Sequence, residues 1–157
     1  MISWTIAGLP LHPLIVHFVA VAVPLSVLCI VLTAAWPAAR RRLGIVTPII
    51  ALAALVAVPL ATQAGEALER QVDRSAAVQA HTRIGDTLLP WAAAVFLVAL
   101  VQWAWYRFGP ERVTARTARV VITVVLAVAV AASAVGAIIT VVRIGDSGAR
   151  AVWTSGG

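Results

Sequence analysis

The chain has 157 residues, of which 62% are hydrophobic and only 11% charged. A soluble domain of this length is about 45–50% apolar and about a quarter charged, so an ordinary water-soluble fold is excluded. The net charge of +6 comes without any lysine. The arginines stand between apolar runs, where membrane topology explains them better than nucleic-acid binding does.

Taken in order, the first apolar run covers residues 13–36. It is longer than the apolar stretch of a signal peptide, and no basic residue precedes Arg40, so it reads as a spanning helix and not as a cleaved leader. Pro13 suits a first helical turn, with His12 at or just before the cap. Pro24 lies inside and is expected to bend the helix. Residues 37–44 follow, carrying Arg40, Arg41 and Arg42. The second run, 45–64, contains Pro59, another expected bend.

Residues 65–86 are mixed in charge: Glu66, Glu69, Asp73 and Asp86 against Arg70, Arg74 and Arg83. Glu66 and Arg70 are spaced to pair on a helical extension of the second run. Asp73 or Ser75 is placed to cap a further helix through residues 76–81 into the third run. The segment therefore reads as an ordered helical collar.

The third run is 87–106, with Pro90 near its start. Residues 107–119 carry Arg107, Arg112, Arg116 and Arg119 against one acid, Glu111. The fourth run, 120–142, is rich in small residues. Its Ala132 and Gly136 stand four apart, a small-xxx-small pair that serves either packing within the bundle or self-association through this helix.

Each run reaches the roughly 20 residues needed to cross a hydrocarbon core of about 30 Å. Helix is the expected spanning form, because each backbone amide then finds its partner within its own segment. The fold class expected is all-α: a single integral membrane domain over 1–157, a four-helix bundle, up-down-up-down. The short arginine-rich loops 37–44 and 107–119 read as cytoplasmic. Loop 65–86 and both termini then lie outside. Trp4, Trp91 and Trp153 fall at the outer ends of the runs, and Trp36, Trp103 and Trp105 at the inner ends, as in an aromatic belt.

The three histidines map to the outer side. His12 opens helix one, His17 lies one turn deeper and His81 precedes helix three. Asp146 and Arg143 lie just past helix four on that side. Three ligand chemistries suit such a set. A haem fits between imidazoles on facing helices, with His17 and His81 as the pair and His12 beside them. A divalent metal such as zinc or copper fits His17, His81 and Asp146. Interfacial imidazole and acid also relay protons or hold a quinone head group. Against these stands the plainer reading, in which the histidines bond only to backbone, water or headgroups. Cys29 is the one cysteine, so no disulfide or paired-cysteine metal motif forms within the chain. Ser26, Cys29 and Thr33 form a stripe that points largely away from His17, and Gln102 lies near the inner end of helix three. No charged side chain falls within a run, which argues against a charge-translocating pump. No nucleophile–base pair is legible, and the reading leans away from an enzyme.

Residues 8–18, Gly-Leu-Pro-Leu-His-Pro-Leu-Ile-Val-His-Phe, resemble the opening of a bacterial family of small four-helix membrane proteins, domain-of-unknown-function family 2231. The likeness continues in Ala-Thr-Gln-Ala-Gly-Glu-Ala-Leu (61–68), as in actinobacterial members, in His-Thr-Arg-Ile-Gly-Asp-Thr-Leu-Leu-Pro-Trp (81–91) and in Arg-Ile-Gly-Asp-Ser-Gly-Ala-Arg-Ala-Val-Trp (143–153). Where the family's tail reads Gly-His-Ser-Gly-Ala, this chain has Asp146 in place of the histidine. The resemblance carries over His12, His17, His81, Ser147 and Gly148, but not a fourth imidazole. Aspartate is a poor haem ligand yet an acceptable metal ligand, so the departure counts against a haem held at that position. The resemblance implies a bacterial cytoplasmic (inner) membrane protein with a candidate outer-face site. The expectation is a non-enzymatic membrane protein binding a metal or redox cofactor there. The alternative is a structural or accessory subunit of a larger membrane complex, with no ligand of its own. Its surroundings are lipid and other membrane proteins, not nucleic acid.

Overall fold

The computed structural model describes residues 5–6, 9–70 and 76–153, with side chains from His12 to Arg150 apart from Glu69, 76–78 and 80. A two-residue antiparallel pairing, β1 (Thr5–Ile6) with β2 (Leu9–Pro10), leads into α1 (Leu11–Ala35). Then come α2 (Pro37–Leu43), α3 (Val46–Glu69), α4 (Ala76–Asp86), α5 (Leu88–Arg112) and α6 (Arg116–Trp153). Four helices are long and apolar enough to cross a membrane, and the chain is an all-α membrane protein.

The helices run further than the apolar stretches. The arginine turn 37–44 is itself largely a helix, α2, started by Pro37 at its first turn and ended at Gly44, whose φ of 40° a side chain would resist. Helix α6 continues past residue 142 to Trp153; 143–153 contains no proline, and Ser147 and Gly148 meet His81 on α4. The collar expected of 65–86 is present as the last turns of α3 and the whole of α4; Asp73 and Ser75 lie outside the described residues. Glu66 and Arg70 do pair, at 3.8 Å, but both are exposed, and such a pair contributes little. Helix α1 runs unbroken through Pro24, and α3 through Pro59.

The packing is that of a protein solvated by hydrocarbon. Buried positions recur at helical spacing and are mostly small: Ala22, Ser26 and Thr33 on α1, Ala51, Ala54 and Ala57 on α3, Ala92 and Ala99 on α5, Ser133, Ala134 and Ala137 on α6. Many large apolar side chains point outward, among them Leu28 on α1, Ile49 on α3, Leu97 on α5 and Val128 on α6, although Ile30 and Leu88 are buried. Lipid tails are as apolar as leucine, so burying leucine yields little, and close backbone approach between small residues provides the cohesion instead. In this arrangement α1 packs on α3 and α6, and α5 on α3 and α6. Gly136 is half-buried against the ring of Trp91 on α5, whereas Ala132 is exposed. The pair does not share one buried seam. Three buried hydroxyls are satisfied within their own helices: Ser26 donates to Ala22 O (2.7 Å), Ser133 to Ala129 O (2.8 Å) and Thr140 to Gly136 O (2.8 Å).

Trp36 lies at the α1–α2 junction, Trp91 in the first turn of α5, and Trp103 and Trp105 toward its far end. Trp4 and the side chain of Trp153 lie outside the described residues.

Candidate functional site

The histidines are placed one helix end at a time. His12 enters α1 with its ring turned across to α3, where Nδ1 donates to the carbonyl of Ala61 (3.0 Å). The ring rests on Gly65, so closely that a Cβ there would stand 2.9 Å from its Cε1. Glycine at 65 is thus what lets the imidazole reach the α3 backbone. His81 makes the corresponding bridge from α4 to α6. Its Nδ1 lies 2.9 Å from Ser147 Oγ, while that hydroxyl donates its own proton to Ile144 O (2.9 Å). His81 is therefore the donor, and the ring packs beside Gly148, where a Cβ would approach to 3.2 Å.

His17 does something different. It lies on the exposed side of α1, and Nδ1 donates to Pro13 O one turn back (2.6 Å). Asp146 is exposed on α6 and pairs with Arg150 at 2.9 Å; Arg143 is exposed as well. The expected metal set of His17, His81 and Asp146 is not gathered: among the described residues, no three His, Cys, Asp or Glu side chains stand close enough to hold a metal ion. The physical reason lies in helix rotation. His17 stands on the lipid-facing side of α1, opposite the buried stripe of Ser26, Cys29 and Thr33, and Asp146 is held along its own helix.

In every histidine Nδ1 carries the proton, which leaves Nε2 as the basic nitrogen. Cys29 is buried in the bundle.

The other end of the bundle brings together two polar residues, Thr33 and Gln102, whose pairing the spacing of the sequence does not give. Thr33 Oγ1 donates to Gln102 Oε1 (2.8 Å), and Gln102 Nε2 donates to Ile30 O (3.2 Å). Both side chains are buried. Arg40, read only as a topological charge, folds back to donate through Nε to Thr33 O (2.6 Å) and through Nη2 to Ala34 O. It thereby satisfies carbonyls that the end of α1 leaves without amide partners. Its guanidinium sits 4.0 Å above the centre of the Tyr106 ring, joining α2 to α5. The signal in the sequence was equal depth: a threonine and a glutamine, each near the arginine-rich end of its run.

These helices, and all three histidines, lie within one family match. The chain belongs to the DUF2231 family. The model of that family, described as a predicted membrane protein, matches residues 8–157. No curated protein and no solved structure matches the chain. The residues of the His12 bridge to α3, the His81–Ser147 bridge and the Gln102–Thr33 pair all lie within the matched range.

Proposed function

We propose that this DUF2231 protein is a structural or accessory component of a membrane assembly, non-enzymatic, with its histidine end fastened by imidazole clasps. The observation that carries this is the use of Nδ1: His12 binds α1 to α3 and His81 binds α4 to α6. Each imidazole is seated against a glycine on the helix it grips or beside it. Arginine distribution supports an arrangement in which the helices alternate in direction, with residues 37–44 and 107–119 in the cytoplasm of a bacterium and both termini outside.

A second reading has its own support. A metal-bound imidazole characteristically donates its other ring nitrogen to a carbonyl or hydroxyl, and His12 and His81 both do so. On this reading a metal or haem would use the Nε2 atoms of His12 and His81, with further ligands from a partner.

Elemental analysis and an absorption spectrum of the detergent-purified protein separate the two. The accessory reading expects His12→Ala and His81→Ala each to lower unfolding stability by about 1 kcal/mol, with unchanged metal content and spectrum. Stoichiometric zinc or copper, or a Soret band, lost on His81→Ala would overturn it in favour of the second.

A further inference from the structure

The arginine end contains a cavity of about 450 Å³ between α1, α2, the start of α3 and the end of α5. That volume is in the range of small-ligand sites. Three arginines, Arg40, Arg41 and Arg107, are among its lining residues, and among the described residues no carboxylate lines it. Arg40 is held in place by the carbonyls at the end of α1 and by the Tyr106 ring, while Arg41 and Arg107 are exposed. One positive charge is thus fixed beside the cavity and two more stand at its rim.

A second observation is independent of charge. Thr47 lines the same cavity, is 2% exposed, and its Oγ1 has no hydrogen-bond partner. A buried hydroxyl left unpaired costs about 1–3 kcal/mol. The other buried hydroxyls described above bond to a carbonyl one turn back; this one does not. It stands in the first turn of α3, where backbone amides lack intrahelical acceptors and the helix dipole is positive. A donor hydroxyl, the positive end of a helix and three guanidiniums all want an oxyanion.

We propose that this cavity binds a phosphoryl anion. In a bilayer the group at that depth is the headgroup phosphate of an anionic phospholipid; free phosphate has the same chemistry. Basic pockets between spanning helices at the headgroup level take such groups. Arg41 and Arg107 close on the phosphate from the rim, Arg40 supplies a stationary charge, and Thr47 donates from the floor. The site is separate from the histidine end and stands whether or not that end carries a ligand.

The test uses the full chain in a neutral detergent, with thermal unfolding followed on addition of phosphatidylglycerol, phosphatidylcholine or inorganic phosphate. Phosphatidylglycerol, and not phosphatidylcholine, is expected to stabilise the wild type. Stabilisation by inorganic phosphate alone at millimolar levels would identify the free anion as the ligand; its absence would identify the lipid. Arg41→Gln and Arg107→Gln are each expected to weaken apparent affinity about fivefold. Thr47→Val is the variant that distinguishes a site from general charge attraction, since it changes no charge. It is expected to raise the ligand-free unfolding temperature and to weaken ligand affinity about fivefold. Arg116→Gln and Arg119→Gln, outside the cavity, serve as controls for folding and for surface attraction. The proposal fails if the wild type does not distinguish phosphatidylglycerol from phosphatidylcholine and does not respond to phosphate. It also fails if Thr47→Val binds as the wild type does, or if the control arginines matter as much as Arg41 and Arg107.

Discussion

The ring of Trp91 on α5 lies against Gly136 on α6 so closely that a Cβ at 136 would stand 2.2 Å from it. That contact is one of the places where two helices approach because one side has no side chain. Gly136→Ala is therefore expected to force Trp91 to move, with a loss of about 1–3 kcal/mol in unfolding free energy in detergent. A smaller ring relieves the clash, so Gly136→Ala combined with Trp91→Leu should lose less than the sum of the two single changes. Additive losses would show that the two residues do not meet.

Gln102 and Thr33 provide a polar link across the bundle. Hydrogen bonds between spanning helices are worth about 0.6 kcal/mol on average and up to about 1.7. A double-mutant cycle of Gln102→Leu and Thr33→Val is expected to return a coupling in that range. Zero coupling would place the two side chains apart.

His12 and Gly65 make the same kind of contact, a ring seated on a glycine. Gly65→Ala is expected to dislodge the imidazole and break its bond to Ala61 O, costing about 1 kcal/mol. In a His12→Ala background the same change should cost almost nothing, because nothing remains to be displaced. Equal costs in both backgrounds would argue against the clasp.

The His81–Ser147 bond makes a matching prediction for the other bridge. Ser147→Ala removes the acceptor of His81 Nδ1 and should destabilise by about 1 kcal/mol, with α4 exchanging its amide hydrogens faster than α5. Unchanged exchange in α4 would mean that the bond does not hold it.

Orientation is open to labelling. In a Cys29→Ser background, Arg42→Cys is expected to react only with a membrane-permeant thiol reagent in intact cells, and Gly85→Cys with an impermeant one. The opposite pattern would invert the arrangement proposed from the arginines.

Several features of this protein were legible locally. The Ser26, Cys29 and Thr33 stripe was visible, as was its direction away from His17. The structure buries that stripe and leaves His17 exposed, so the geometry that disperses the expected His17, His81 and Asp146 set was already implicit in it. The pairing of Glu66 with Arg70 was likewise readable from spacing on one helix. Arg40 was not: as a charge in a loop it signals sidedness, and nothing in its neighbours reveals that it turns back onto the carbonyls of α1 and the ring of Tyr106.

Membrane residence, the four spanning segments and the confinement of charge to their ends follow from the sequence by itself, because solvation by hydrocarbon is a property each residue carries wherever it sits and sums along the chain. How each helix is rotated about its axis does not follow. In α1 and α5 the apolar residues surround the whole cylinder, and lipid is as good a solvent for leucine as the bundle interior, so hydrophobicity marks no face as inward, and in α1 only the small polar stripe distinguishes one. Only the mutual fit of small side chains and glycines in the folded bundle chose the faces. That choice set the His12 and His81 bridges, the Gln102–Thr33 pair and the unpartnered hydroxyl of Thr47.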